Sequence, residues 1–87
     1  MYYELTPQFD SRQSFYRKAT VTGTNTGLVL RSYGTIVATI DDETNEVTLL
    51  PRWSDSATTL RHVKEFLRQN GFKAETKAQM KADYCRS

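Results

Sequence analysis

This sequence is poor in cysteine, in histidine and in long apolar runs. A single cysteine among 87 residues, Cys85, rules out an internal disulfide and a cysteine-based zinc centre. No stretch approaches the roughly 18 apolar residues of a membrane span, and no charged-then-apolar leader opens the chain. The expectation is a cytoplasmic protein with no membrane partner. A single histidine, His62, leaves few routes to nucleophile–base chemistry. An excess of one charge is also lacking: 12 Lys and Arg stand against 10 Asp and Glu, a net +2. That is too little to name a partner. What is present is an ordinary globular balance, 38% apolar, 25% charged and 11% aromatic, in a length that makes one domain.

The pattern of apolar residues changes once along the chain. Residues 1–13 hold Pro7 and mixed polar groups and read as an irregular arm or edge strand over Tyr2–Leu5, with Tyr2, Tyr3, Leu5 and Phe9 to dock it. Residues 14–50 read as a β-meander. Phe15, Ala19 and Val21 recur with a period of two, as do Leu28, Leu30 and Ser32, then Ile36, Ala38 and Ile40. Turn clusters at Gly23–Gly27, Tyr33-Gly34 and Asp41–Asn45 separate these runs, and Pro51 closes a last strand over Glu46–Leu50. From 54 to 87 the period becomes helical. Ser54 and Ser56 are N-cap candidates, and Leu60, Val63 and Leu67 form an apolar stripe with Phe66 at its edge. Gly71 and Phe72 fit the C′ and C″ positions of a Schellman ending against Leu67. Thr76 and Gln79 have capping-box spacing for a second helix over roughly 77–85, with a thin stripe of Ala74, Ala78, Ala82 and Cys85. The expected class is α+β: a meander of three to four strands packed by the first helix, plus a second short helix.

Catalytic and metal chemistry find little support. His62 with Cys85 lacks an orienting third group, and His62 reads as a surface or boundary helix residue. Asp41, Asp42, Glu43 and Glu46 lack EF-hand spacing; they read as a solvated hairpin tip, a metal site or an acidic contact for a basic protein. The glycines precede strands, not a helix N-terminus that could cradle phosphate. No enzyme activity, cofactor or metal is expected. The basic groups are better organised. Residues 57–87 carry seven Lys and Arg against three acids. Arg61, Lys64 and Arg68 fall on one ridge of the first helix; Lys73, Lys77 and Lys81 fall at four-residue steps along the second. Both are ordinary solvated faces or candidates for following a phosphate backbone. Tyr16, Tyr33 and Trp53 are candidate stacking surfaces or core-edge packing.

The segment Ser56-Ala-Thr-Thr-Leu-Arg-His-Val-Lys-Glu-Phe-Leu-Arg-Gln-Asn-Gly-Phe-Lys-Ala74 resembles small uncharacterised proteins of phages and mobile elements of Gram-positive (Firmicutes) bacteria. Phe9–Tyr16, Ser32–Ala38 and Lys81–Tyr84 are similar to the same group. That resemblance implies a short accessory protein with no enzymatic activity to transfer. Its setting favours an inhibitor that binds a host defence nuclease such as a CRISPR effector, occluding it with the sheet face or the Asp41–Glu46 tip. The alternative is a DNA- or RNA-binding accessory or regulatory protein using the basic ridges with Tyr33 or Trp53. A partner that is a second copy or another phage protein is a third expectation. At fold level only, a sheet followed by a helix is similar to the arm-binding domains of some integrases.

Overall fold

The computed structural model describes residues 2–8, 15 and 17–85. Five strands, β1 (Tyr2–Glu4), β2 (Ala19–Gly23), β3 (Gly27–Ser32), β4 (Thr35–Asp41) and β5 (Val47–Leu49), precede helices α1 (Ala57–Gln69) and α2 (Lys77–Tyr84). The strands form one antiparallel sheet in sequence order. The class is α+β as expected, but the meander has five strands rather than three to four. The difference lies at the N-terminus, where Tyr3 pairs with Val21 and the Leu5 N–H donates to the Ala19 carbonyl at 2.9 Å. The fully buried Leu5 side chain holds this short edge strand in place. The other expected anchor, Phe9, lies outside the described residues.

Register sorts the side chains onto two faces. Val21, Leu30, Ala38 and Leu49 stand opposite one another across four strands, all buried, with Ile40 and Val47 beside them. The reverse face carries Tyr2, Thr22, Val29, Thr39 and Thr48 in one row. Two expectations fail at strand ends. Phe15 does not belong to β2, because Arg17 adopts a left-handed φ of 63° and the Lys18 N–H turns back to the Phe15 carbonyl at 2.9 Å. Ile36 does not share a face with Ala38 and Ile40. Leu30 pairs with Ala38, but the next residue, Arg31, pairs with Ile36. The extra residue is Val37, and this bulge turns Val37 into the core and Ile36 out to water.

The termini of α1 form as the sequence predicts. Ser56 caps it by accepting from the Thr59 N–H at 3.1 Å. At the other end the Phe72 N–H reaches the Leu67 carbonyl at 2.9 Å and the Gly71 N–H reaches Arg68 at 3.1 Å, with Gly71 at φ 84°. These are the two bonds of a Schellman ending. The helix crosses β3 and buries Val63 and Leu67 as expected; Leu60 is half-buried against the same cluster. Its buried arc is nevertheless wider than the stripe. Phe66, His62 and Glu65 are also inside. The cause is a second wall: Phe15 stands edge-on to His62 at 4.6 Å, and the Gln69 amide donates to the Thr6 carbonyl at 2.7 Å. The segment joining β1 and β2 thus borders the helix flank.

Helix α2 is capped by Thr76, which accepts from the Gln79 N–H at 3.0 Å, and lies against β5. The expected stripe of Ala74, Ala78, Ala82 and Cys85 holds only at its ends, with Ala74 buried before the helix and Cys85 half-buried after it. Met80 is fully buried and Tyr84 half-buried, one turn apart, while Ala78 and Ala82 are exposed. Tyr84 meets Phe72 edge-on at 6.4 Å and donates its hydroxyl to the Lys73 carbonyl at 2.8 Å. Large side chains remove more apolar area from water than methyl groups do, so they set the roll of a short helix.

Leu67→Ala is expected to lower unfolding free energy by about 2–5 kcal/mol, measured by urea denaturation. Gly27 sits at φ 153°, and a Cβ built there would stand 1.9 Å from the Ile40 carbonyl oxygen. Gly27→Ala must therefore push β3 and β4 apart and lower the thermal midpoint; an unchanged melt would contradict this strand register.

Candidate functional site

The outward side of α1 is basic. Arg61, Lys64 and Arg68 are half-exposed, and the helix's one acid, Glu65, is 1% exposed. Glu65 turns inward and accepts from the Gln69 amide at 2.6 Å. The Nε of Arg68 donates to the Ala74 carbonyl at 2.8 Å. That bond ties the end of α1 to the link leading into α2. Lys73, Lys77 and Lys81 are all exposed. Lys73 lies 3.7 Å from Glu75, both side chains about two-thirds exposed, a pairing of little energetic weight.

The candidate aromatics separate. Trp53 is only 6% exposed and belongs to the core, so it is not a stacking surface. Its apolar area is worth more beneath the helices than in water. Tyr33 is 57% exposed at the β3–β4 turn. Tyr16 falls outside the described residues.

The acidic tip is a built turn. The Asp41 carboxylate accepts from the Glu43 N–H at 2.8 Å and the Thr44 N–H at 3.0 Å, and the Asp42 N–H donates to the Thr26 carbonyl at 2.8 Å. Asp42 and Glu43 project into water, while Asp41 and Glu46 are half-buried. Backbone donation from Thr44 and Glu43 holds the Asp41 carboxyl below its ordinary value. The tip's best-placed carboxylate is therefore committed to the turn. Among the described residues no three His, Cys, Asp or Glu side chains group as metal ligands.

His62 is a core residue, not a surface or boundary one. Its Nδ1 lies 2.8 Å from the Ser32 hydroxyl, which lies 3.2 Å from that of Thr59. The Ser56 hydroxyl donates to Thr59 at 3.1 Å. This buried chain of polar groups bridges β3 to the first turns of α1, and its effect is to fix the helix's register on the sheet. Cys85 is half-buried at the end of α2.

Sequence reasoning missed a second cationic group. Arg31 lies on the sheet face turned away from the helices, its guanidinium donating to Thr22 at 3.2 Å. Arg17 and Lys18 are exposed where β2 begins. The alternation of Leu30 and Ser32 with Arg31 carried part of this signal; the turn that brings Arg17 and Lys18 beside it did not show in the pattern.

A protein-family model matches residues 3–82 and is described as a family of unknown function, DUF8033. The match spans nearly the whole chain, and the chain belongs to that family. No curated protein and no solved structure matches it. No helix among the described residues is long and apolar enough to cross a membrane.

A carboxyl whose folded pKa lies below its unfolded value stabilises the fold above the unfolded value, and that contribution disappears as pH falls through the folded one. Asp41 is expected to titrate below 3.8 when followed by carboxyl NMR, with the Glu43 and Thr44 amides shifting in the same acid window. A midpoint at or above the ordinary value would remove the turn bonds.

Proposed function

We propose that this member of the DUF8033 family is a non-enzymatic accessory protein of a phage or mobile element. It works in the cytoplasm of its bacterial host and binds DNA or RNA through the basic faces of its helices. The observation that carries this reading is the composition of the outward side of α1. Arg61, Lys64 and Arg68 line it, and Glu65 is turned inside. The exposed Lys73, Lys77 and Lys81 extend the cationic surface along the link and α2. Neutralising phosphates with such side chains releases condensed counterions, so affinity depends on salt and little on sequence.

A second reading, occlusion of a host defence nuclease of the CRISPR effector type, draws on the acidic tip. The Asp41 turn holds Asp42 and Glu43 outward on a fixed backbone, as a decoy for a cationic nucleic-acid channel requires. Two projecting carboxylates are few for that role, and the six cations of the helices and their link favour the first reading.

Binding to a labelled duplex is expected to weaken by roughly a thousandfold between about 50 and about 200 mM salt if six phosphates are contacted. Lys64→Glu with Lys77→Glu and Lys81→Glu should abolish it without changing the melt. No mobility shift at low salt would remove this reading. A protein captured from the bacterial host that survives nuclease treatment and depends on Asp42 and Glu43 would replace it with the second.

A further inference from the structure

The sheet face opposite the helices is covered by no described element, and one corner of it has an unusual composition. The exposed large apolar side chains among the described residues are Tyr2 at 70%, Tyr33 at 57% and Ile36 at 38%. Tyr2 and Ile36 stand on that face by register, and Tyr33 stands at its rim. Arg31 is paired directly with Ile36. Tyr2, Lys18, Arg31 and Tyr33 line one shallow depression there together with Arg17. The Tyr33 N–H donates to the Lys18 carbonyl at 2.7 Å, which fixes the two residues side by side. Glu4 accepts from the Arg17 N–H at 3.1 Å and lies 4.0 Å from its guanidinium. Among the described residues the corner is cationic, with Arg17, Lys18 and Arg31 against Glu4.

Tyr33 is costly where it stands. Ser32 pairs with Thr35 across a two-residue loop whose members have φ of 53° at Tyr33 and 81° at Gly34. Both positive values make it a type I′ turn, whose first position prefers Asn or Asp. A bulky aromatic at positive φ is a strained choice there. The side chain recovers little by burial: the residue is 57% exposed, and among the described residues its ring neighbour is His62 at 5.9 Å. A side chain that strains its turn and is not needed to fill the core is explained by what it can contact outside.

We infer that this corner is a single-strand nucleic-acid site, in which Tyr33 stacks on an unpaired base while Lys18 and Arg31 neutralise the flanking phosphates. An exposed aromatic face flanked by cations is the chemistry that holds single strands with little regard to sequence. Duplex offers phosphates to the cations but no unstacked base to the ring. The inference rests on the nucleic-acid reading above but uses the opposite face of the sheet and different residues.

The test is fluorescence anisotropy of the full chain with a labelled oligothymidine of about 12 nucleotides, with thermal melts of every variant. Tyr33→Phe should bind as the parent protein does. Tyr33→Asn should bind about tenfold more weakly or worse while melting at the same or a higher temperature. Lys18→Gln with Arg31→Gln should lower the salt slope by about 1.4, and this pair decides the matter even if Tyr33→Asn folds poorly. Unchanged affinity in Tyr33→Asn, or an unchanged slope in the double variant, overturns the inference. If in addition the helix triple variant loses all binding, the helical reading stands alone. If the triple variant binds normally and the sheet variants do not, the helical reading falls and this site remains.

Discussion

Val63, Phe66 and Leu67 seat α1 on the apolar face of the sheet, and the surfaces left for function follow from that seating. The helix can sink deeply because it meets two walls, the β-strand residues below and Thr6 and Phe15 at its flank. Such an arc leaves only a narrow strip for water. Arg61, Lys64 and Arg68 occupy that strip. The cationic ridge is therefore a product of packing depth as well as of sequence: a shallower helix would expose Glu65 and bring an acid back among the bases.

The polar chain from Ser56 through Thr59 and Ser32 to His62 belongs to the same contact. Apolar packing alone would tolerate a helix sliding along its groove. The buried hydroxyls of Ser32 and Thr59 and the His62 imidazole do not, since displacement by one turn would strand them in a low-dielectric interior. The N-cap of α1 is thus tied to the last residue of β3. Through the Tyr33-Gly34 turn that follows, the same tie fixes the corner of the sheet at which Tyr33 projects.

Local signals were legible from the sequence, and tertiary ones were not. Ser56, Thr76 and the Gly71-Phe72 ending act through hydrogen bonds within a few residues, so their spacing was sufficient to place both helices. Ile36 was misplaced because a bulge costs the sequence no visible residue; strict alternation places residues 36, 38 and 40 on one face, and the bulge at Val37 reverses the first. His62 was read as a surface or boundary residue because imidazole usually is. Its burial depends on Ser32 of β3 and on Phe15, which no spacing along the helix reveals. Met80 was passed over for alanines at a regular interval, although one large side chain outweighs several small ones in choosing which side of a short helix is buried. Of the candidate contact groups, the helical cations were found and the sheet-face cations were missed, and of the two readings of Trp53 packing took the core one.

The two cationic surfaces differ in what they can discriminate. A helix strip of Lys and Arg recognises phosphate spacing and is indifferent to whether bases are paired, because flexible ammonium and guanidinium groups reach out to whatever backbone passes. A ring held on a strained two-residue turn is different. Its backbone has little freedom to withdraw, and its face has area for one base. The sheet beneath supplies Arg31 on a rigid strand, not on a mobile loop. Rigidity lowers the ordering cost of binding, which is why a single fixed aromatic can favour single strands where six mobile cations cannot. The energetic conflict at Tyr33, between the residue the turn prefers and the residue it has, is the feature of this sequence that packing leaves unexplained and that the proposed base contact would explain.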